Sequence, residues 1–554
     1  MPKRTIILAL SAIIVIGCAT DNGSIDYKKI NRQAASEYLQ PIRNGYKGRL
    51  PFWNEYSDKF IYAPAFDFKE AEGAVSYRFT LKYIDDVARP KSYIRHGESA
   101  PTLEDNLAGL PDMSEGRKCT FVADSPKADL SPIWADVPPG NVALLVEALD
   151  AEGKCMEKVG ARCFLRDFPF CGPYPDAARP YREALIMGLL YDHNLPCTRY
   201  WLDRNEPDPS AKHSSYVCKT FGAMLQIEST LARMVPSMRE ECLTIARKVA
   251  DFMMSVAEPE DAPLAHFPPT YYKDYIGIAV RFQGMSMMME ATLAAEGYLD
   301  LYDVTSEQKY LDEAVAISDT YCRLQAEDGS FPIKVITATA ESLGGKACSA
   351  QLLLFWQRLK HQYGIQGLDE YIAKSEKWMM EVAVPGFDLT GQFEDVSILG
   401  LKPFQNLTNF NYSYFARYLY EYGDGSGETI AMADELLAIA EDQFVHWDFL
   451  YDKNGYKSST SPAVYEQYQY KMAIIGSAAN VGLAFLAKYK ATGDKLALAK
   501  AKAISDAATR AQVAHTGMVS TYWDFVPQAK AEKEIWINSG YRQMLVWQLL
   551  DEVL

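Results

Sequence analysis

Two adjacent carboxylates, Glu394 and Asp395, stand in a polar stretch with the amide of Gln392 and the ring of Phe393. The stretch falls between two segments of helical periodicity, which predicts a loop. Carboxyl groups can donate a proton, accept one or attack as a nucleophile. An aromatic face beside them suits recognition of a polar ring better than core packing. We therefore take Glu394 and Asp395 as candidate catalytic residues.

Further polar stretches repeat this grouping of acids with aromatic rings. Cleavage of a glycosidic bond needs one acid to protonate the leaving oxygen and a second carboxylate to activate water or attack. Carboxylates crowded into one funnel push their pKa values apart, which supplies one protonated and one ionised partner. The preferred pair is Asp395 with Glu466. The candidates for binding the ligand are Asp328, Asp524, Phe331, Lys334, Gln392, Tyr465, Trp523, Trp536 and Arg281.

Each of these groups also has a structural interpretation. Asp328 could close a turn with Gly329 and Ser330, and the pair Glu394 and Asp395 could cap a helix or stay solvated. Glu466 begins a predicted helix, where a carboxylate suits the dipole whatever the function. Two histidines, His266 and His515, are interpreted as hydrogen-bonded structural residues rather than catalysts. Four methionines between 285 and 289 are expected to pack a helix core.

Cations near these stretches bear on the kind of sugar that could bind. Lys273, Arg281, Lys334 and Lys402 could hold the carboxylate of a uronic acid, although solvated lysines are the default. The chain contains no Walker loop, HExxH or GxSxG elbow in a supporting context, which argues against nucleotide, zinc-protease and serine-esterase chemistry. No cofactor and no metal site is predicted.

Helical periodicity dominates the chain beyond residue 176. Some joints between helices are tight turns, and others run to about 20 residues, a length that is uncommon in compact domains and usually functional. The predicted helices lie near 181–193, 213–234, 237–256, 279–303, 306–325, 343–363, 367–382, 406–423, 427–447, 467–492, 494–514 and 537–553. Thr305 and Asp494 are expected to cap two of them.

The alternation of tight turns with long joints predicts the architecture. Every long joint then falls at the same end of the helical array, and twelve helices make six hairpins if the first closes against the last. The prediction is a mostly α fold, an (α/α)6 toroid over 176–554, with a funnel lined by loops that would hold the ligand. The alternative is an open helical solenoid.

Short alternating strands precede the helices. Residues 74–84 place Tyr77, Phe79 and Leu81 on one face and polar side chains on the other. Residues 55–170 are therefore predicted to form a small β-sandwich that resembles a fibronectin type III module, with Trp134 in its core. A structural or spacer role is favoured for it, and glycan binding is the alternative. The stretch 171–175 marks the linker to the toroid.

The first 18 residues have the pattern of a targeting segment: Lys3 and Arg4, an apolar run, then Gly17-Cys18. The ending resembles the lipobox of bacterial lipoproteins, which implies lipidation of Cys18 and anchoring in the cell envelope, at the periplasm or outer membrane. An ordinary cleaved signal peptide is the alternative. Residues 19–54 are interpreted as a tether and docking arm. The other cysteines are expected to be mostly buried free thiols, with a disulfide among Cys155, Cys163 and Cys171 left open.

Composition limits the partners. The chain has 554 residues, 48% apolar content and a net charge of −16 without any basic run, so a nucleic-acid surface is not expected. The expected partners are an oligosaccharide and, through the lipid anchor alone, a membrane.

Four motifs together resemble the six-hairpin glycosidase superfamily, and more loosely the epimerases and polysaccharide lyases built on the same toroid. They are the sequences at 325–332, 392–395, 465–468 and 521–524. The order of lipobox, β-sandwich and toroid is similar to the glycan-degrading lipoproteins of gut Bacteroidetes. The resemblance implies a glycoside hydrolase acting on oligosaccharides, uronic-acid-containing ones among them. A sugar epimerase or polysaccharide lyase using a His or Tyr base is the second hypothesis, and a non-catalytic glycan-binding lipoprotein is the third.

Overall fold

A computed structural model provides the fold of two parts of the chain, a β-sheet followed by a ring of helices. It describes residues 25–42, 57–86, 101–273, 282–386, 389, 408–448, 457–458, 460–467, 472–524 and 528–554. The targeting segment, Cys18 and the catalytic candidates Glu394 and Asp395 lie outside these residues. No helix within the described ranges is long and apolar enough to cross a membrane.

The N-terminal part is one five-stranded sheet. Its strands are β1 (Lys59–Phe60), β2 (Ser76–Asp85), β3 (Lys118–Ala123), β4 (Gly140–Leu149) and β5 (Cys155–Arg166), in the order β1-β5-β4-β2-β3. Strand β1 runs parallel to β5, and the other neighbours are antiparallel. The predicted alternation holds, since Tyr77, Phe79 and Leu81 are all buried. A fibronectin-like pair of facing sheets does not form in the described residues, so that expectation is not met there.

Trp134 is the core aromatic that the sequence predicts for this part. It ends a one-turn helix, is fully buried and donates its indole N–H to the carbonyl oxygen of Ile61 at 2.9 Å. The guanidinium of Arg166 lies 4.4 Å from the ring centroid. The ring therefore packs the core while its one polar atom stays hydrogen-bonded, as a buried tryptophan requires.

The helices of the chain are numbered here in sequence order. Among the described residues, three precede the ring: α1 (Tyr27–Glu37), α2 (Leu103–Ala108) and α3 (Ser131–Trp134). The ring contains α4 (Tyr181–His193), α5 (Pro196–Arg199), α6 (Gly222–Met234), α7 (Arg239–Val256), α8 (Ala291–Thr305), α9 (Gln308–Leu324), α10 (Ala350–Tyr363), α11 (Asp369–Trp378), α12 (Asn409–Tyr422), α13 (Gly427–Phe444), α14 (Ile475–Thr492), α15 (Lys495–Ala511), α16 (Gln528–Glu534) and α17 (Ile537–Asp551).

Six helices pack side by side into an inner ring in the order α6, α8, α10, α12, α14 and α17. Helices α7, α9, α11, α13 and α15 each form a hairpin with the inner helix before them, and α4 packs on α17. The inner ring closes where α17 meets α6, with the hydroxyl oxygens of Thr230 and Tyr541 3.1 Å apart. The (α/α)6 toroid is therefore confirmed, and the open solenoid is excluded.

Two features of the sequence explain how the inner helices approach and turn. Gly222 of α6 faces Gly297 of α8, and a side chain at either position would collide with backbone of the opposite helix. Gly493 ends α14 at φ +74°, in the left-handed region that glycine adopts without steric cost. Asp494 then caps α15 by accepting from the backbone N–H of Leu496 at 3.0 Å, as predicted.

Three local predictions are wrong. Thr305 is the last residue of α8 rather than a cap of α9, because the chain turns at Ser306 in the left-handed region, φ +58°. The helix expected from residue 279 begins only at Ala291. The methionines before it are buried at 287, 288 and 289, but Met285–Met287 forms strand β6 instead of a helix face.

The nine described cysteines are free thiols, four of them buried.

The bore of the toroid contains a polar network. Arg358 of α10 contacts three carboxylates of α8: Glu296, Asp300 at 2.7 Å and Asp303 at 3.2 Å. Burial would lower the pKa of Arg358, but the charges of Glu296 and Asp300 outweigh it and hold the pKa well above its ordinary value. Gln226 of α6 reaches the same Asp300 at 3.0 Å, so the network ties three inner helices together.

Candidate functional site

The long connections between hairpins join into a ring at one end of the toroid. They are the first (194–221), second (257–290), third (325–349), fourth (379–408), fifth (445–474) and sixth (512–536) connections, and together they form what we call the loop ring. The first of them was not predicted as a loop, because residues 213–221 carry helical periodicity. In the structure these residues form 3₁₀ and π turns ahead of α6.

Each connection is bonded to the next, which is what places all six at the same end. The Tyr272 N–H donates to the Ser215 carbonyl oxygen at 2.9 Å, and β6 pairs with β7 (Lys334–Ile336). The third and fourth connections meet through Asn411 of α12, whose carbonyl oxygen lies 3.8 Å from the Cys348 sulfur and whose side chain donates to the Leu389 carbonyl oxygen at 2.6 Å. Thr408 bridges to Gln467, Ser458 donates to Asp524 at 2.9 Å, and the His213 ring Nε2 lies 3.0 Å from the Ile535 carbonyl oxygen. The predicted convergence of the loops is confirmed for the described connections.

Glu466 lies at the seam between the fourth and fifth connections. Its carbonyl oxygen accepts from the backbone N–H of Asn409, the first residue of α12, at 3.1 Å. Its own N–H donates to the carbonyl oxygen of Met472 at 3.1 Å. Within 462–467 Glu466 is the one residue that is not buried. The backbone is thus fixed on both sides of a carboxylate that solvent can reach.

Tyr465 precedes Glu466 and packs on His446, a residue that the sequence did not single out. The two rings meet edge to face with centroids 4.5 Å apart. Nδ1 of His446 lies 2.8 Å from a carboxylate oxygen of Asp167, which follows strand β5 of the sheet. Lys59 of β1 lies 3.1 Å from the same oxygen. The sheet therefore supplies the acid that orients a histidine of the loop ring.

The charge state of Asp167 follows from this contact. Burial alone would raise the pKa of its carboxyl group. The charges of His446 and Lys59 and the hydrogen bonds to His446 and the Phe168 N–H outweigh burial, and they hold the pKa far below its ordinary value. Asp167 is thus ionised, and its carboxylate pairs with the buried Lys59 ammonium beside the His446 ring.

The aromatic candidates divide into buried and accessible rings. Phe331 is fully buried and packs against Tyr321 and Trp356, with centroids 6.0 and 6.3 Å away. Trp523 is 1% exposed, and its indole N–H donates to the Thr460 carbonyl oxygen at 3.0 Å. Both rings are buried in the described structure, and ligand binding by Phe331 and Trp523 stays a prediction.

Asp328 has the hydrogen bonds of a turn. One oxygen accepts from the backbone N–H of Ser330 at 2.9 Å and from its hydroxyl at 2.6 Å. Burial raises the pKa of Asp328, and these two bonds more than offset that effect, so the pKa is lowered. Lys334 is also buried, with its ammonium 4.5 Å from the ring centroid of Phe282. The structural interpretation accounts for both hydrogen bonds of Asp328, and sugar binding stays a prediction.

Asp524 and Trp536 remain accessible in the loop ring. Asp524 accepts from the Ser458 hydroxyl at 2.9 Å and is partly exposed. Trp536 directly precedes α17, and its backbone N–H donates to the Thr521 hydroxyl at 2.7 Å. The ammonium groups of Lys212 and Lys219 lie 4.5 and 4.9 Å from the Trp536 ring centroid.

Four predicted site residues lie outside the described residues: Glu394, Asp395, Gln392 and Arg281. Asn411 of α12 donates to the carbonyl oxygen of Leu389, a described residue of the same connection as Asp395, at 2.6 Å. The fourth connection is thus held at the start of α12, next to the seam that contains Glu466.

Two other polar clusters have structural roles. His266, interpreted as structural, lies 3.3 Å from Glu313 of α9. A buried group of His193, Glu228 and Cys242, next to the start of the first connection, brings metal-ligand types together among the described residues. Both ring nitrogens of His193 already have protein partners, with Glu228 at 2.9 Å and Glu241 at 2.9 Å. The cluster is a satisfied hydrogen-bond network between α4, α6 and α7.

No protein-family model and no curated protein matches this sequence. Among solved structures, the chain is similar to a family 76 glycoside hydrolase from a bovine Bacteroides thetaiotaomicron strain (9% identity, 88% of this chain and 98% of that one, TM-score 0.43). It is also similar to a sugar epimerase from a ruminal bacterium (12%, 67% and 98%, 0.48) and to an unsaturated glucuronyl hydrolase specific for heparin (9%, 67% and 96%, 0.43). These are enzymes of the kinds that the sequence resemblance named. At such identities and TM-scores, likeness assigns no reaction to this chain.

Proposed function

We propose that the protein is a glycoside hydrolase that cleaves oligosaccharides in the loop ring. One observation carries the proposal: bonds between neighbouring connections, in one case through Asn411 of α12, bring the described parts of all six to one ring, and the partly exposed Glu466 is fixed at one of its seams. Concave sites with a few convergent polar groups at one end of a rigid scaffold are where ligands bind. Glu466 is a carboxylate of the type that glycoside hydrolysis uses.

The second carboxylate of the proposal is Asp395, with Glu394 next to it. Asp395 belongs to the fourth connection, and the fifth connection carries Glu466. The Thr408–Gln467 bridge and the Asn409–Glu466 hydrogen bond join these two connections next to Glu466. In this proposal one carboxyl group protonates the glycosidic oxygen, and the other activates water or attacks the anomeric carbon.

A second candidate function rests on the contact between Tyr465 and His446. A sugar epimerase or polysaccharide lyase needs a base that removes a proton from carbon, and a Tyr or His can serve. The ionised Asp167 fixes the His446 ring, and His446 packs on Tyr465 beside Glu466. In this alternative Tyr465 and His446 carry the proton, and the carboxylates contribute less.

Product analysis separates the two reactions. The purified protein is incubated with a panel of neutral and acidic oligosaccharides, and new reducing ends, unsaturated products and epimers are measured. Hydrolysis gives new reducing ends without unsaturation, and both Glu466→Gln and Asp395→Asn abolish it. Unsaturated products or epimers that survive Glu466→Gln but not Tyr465→Phe would support the second candidate. Retention of a glycan without any product would leave only the binding function.

We also propose that Cys18 carries the lipid anchor, on the lipobox pattern alone. Metabolic labelling with a radioactive fatty acid should mark the wild-type protein and not Cys18→Ser. Labelling of both proteins, or of neither, would contradict the anchor without affecting the hydrolase proposal.

A further inference from the structure

Two lysines and one tryptophan form a cluster at the seam between the first and sixth connections. We call Lys212, Lys219 and Trp536 the lysine–tryptophan cluster. Lys212 lies in the 3₁₀ turn and Lys219 in the π turn before α6, and Trp536 is the residue before α17. Both ammonium groups lie within cation–π distance of the one indole ring, at 4.5 and 4.9 Å from its centroid.

The cluster is held rigidly by its surroundings. His213, next to Lys212, places its ring Nε2 3.0 Å from the carbonyl oxygen of Ile535, next to Trp536. The ring of Tyr216 packs edge-on against Trp536 with centroids 5.1 Å apart, and the Lys219 ammonium lies 4.5 Å from the Tyr216 ring. A preformed arrangement of this kind lowers the entropy cost of binding a ligand.

The cluster belongs to the same ring as the catalytic candidate. The carbonyl oxygen of Thr521 accepts from the backbone N–H of Ile475 at 3.0 Å, and Ile475 is the first residue after the fifth connection. Its hydroxyl accepts from the Trp536 N–H at 2.7 Å. One residue therefore ties the end of the connection that carries Glu466 to the cluster.

Two cations at one ring favour an anion as ligand. Burial lowers the pKa of Lys212 to about 8; the charge of Glu534 opposes this shift, and the smaller effect of the Lys219 charge adds to it. A bound carboxylate would offset both the burial of Lys212 and the repulsion between the two ammonium groups. The chain as a whole carries a charge of −16, so its overall charge does not account for this cluster.

We propose that the lysine–tryptophan cluster binds the carboxylate of a uronic acid unit of the substrate. This inference rests on the proposed function, because it concerns the same loop ring. The lysines of this cluster are not the cations that were chosen from the sequence. Of those, Lys334 is buried, and the Lys273 ammonium lies 5.3 Å from the ring centroid of Tyr272. The remainder of the sugar would lie along the accessible edge of Trp536.

The test compares acidic oligosaccharides with the same chains after reduction of their carboxyl groups to alcohols. Binding of glucuronate-, galacturonate- and mannuronate-containing chains is measured by calorimetry in the Glu466→Gln protein, so that turnover does not interfere. Loss of a charge-assisted contact should weaken binding of the acidic chain about 10–100-fold in Lys212→Met with Lys219→Met. The reduced chain should bind equally in both proteins. Lys490→Met with Lys495→Met, at two exposed positions, is the control for the loss of two positive charges.

The proposal is overturned if no acidic chain binds better than its reduced form, or if the double variant weakens both forms equally. Equal, lysine-dependent binding of a sulfated neutral chain would overturn the assignment to carboxylate. Lysine-dependent binding of acidic chains without any new reducing ends would contradict the hydrolase and leave the cluster standing. Cleavage of acidic chains that is indifferent to both lysines would support the hydrolase and contradict the proposed role of the cluster.

Discussion

A carboxylate oxygen of Asp167 lies 2.8 Å from Nδ1 of His446, although Asp167 follows the last strand of the sheet and His446 belongs to the toroid. The ammonium of Lys59, in strand β1, lies 3.1 Å from the same carboxylate oxygen. Asp442, three residues before the fifth connection, accepts from the N–H groups of Ile61 and Tyr62 at 2.6 and 2.8 Å. The sheet is therefore bonded to the fifth connection, which also carries Glu466. A passive spacer would not need these buried charges.

Removal of the Asp167 charge should destabilise the protein strongly. Asp167→Asn removes the buried carboxylate that pairs with the Lys59 ammonium, and breaking a buried ion pair typically costs about 3–5 kcal/mol. Urea unfolding followed by circular dichroism measures the loss. Asp124→Asn, at an exposed position just beyond strand β3, should change the unfolding free energy by less than about 0.5 kcal/mol. Similar stability of the two variants would contradict the role of the contact.

Phe331→Ala should affect stability and leave ligand binding intact. The ring is fully buried against Tyr321 and Trp356, and truncation of a buried phenylalanine costs about 3–5 kcal/mol. Thermal unfolding gives the stability, and calorimetric titration with an oligosaccharide gives the affinity below the transition. An unchanged melting temperature with weakened binding would support Phe331 as a sugar platform.

His213 should make the protein sensitive to mild acid. Burial, and then the charge of Lys212, lower the pKa of His213 from 6.5 to about 4. The unfolded chain therefore binds the proton first, and stability is full above pH 6.5 and falls as the pH drops from there to about 4. This loss amounts to at most about 3 kcal/mol.

The matched variant for this effect is His213→Gln, which keeps a donor for the Ile535 carbonyl oxygen and does not titrate. Asp442, whose pKa burial raises to about 6, acts in the opposite direction but is present in both proteins. Unfolding free energies are measured from pH 7 to pH 4, and the difference between the proteins should shrink as the pH falls. A difference in unfolding free energy that stays constant over this range would contradict the assignment of the acid sensitivity to His213.

The toroid could be predicted from the sequence because each helix has its own pattern of apolar residues, which can be read without knowing its partners. All twelve helices have counterparts near the predicted positions, since a 3.6-residue period reports which face is buried wherever the helix packs. The closure of α4 on α17 followed from the count of hairpins and the alternation of turn lengths. The first connection was missed because 213–221 has the same periodicity while forming 3₁₀ and π turns.

The candidate site could be predicted only in part, because its contacts join distant segments. Glu466 and Trp536 were identified from their composition and position next to helices. Nothing near His446 in the sequence points to Asp167, and nothing near Trp536 points to Lys212. Phe331 and Trp523 show the converse limit: an aromatic residue beside an acid has the same sequence whether its ring faces a ligand or the core.

The most direct test of the account is the release of reducing ends by the wild-type protein and by Glu466→Gln. The glycan panel is incubated with equal concentrations of each protein, together with Glu341→Gln, an exposed glutamate of the third connection, as the matched control. The account expects the wild type and Glu341→Gln to release reducing ends at equal rates. It expects Glu466→Gln to be at least about 100-fold slower with unchanged thermal stability. Equal rates for all three proteins, or no release by the wild type from any glycan, would contradict the claim that the loop ring is a hydrolase site.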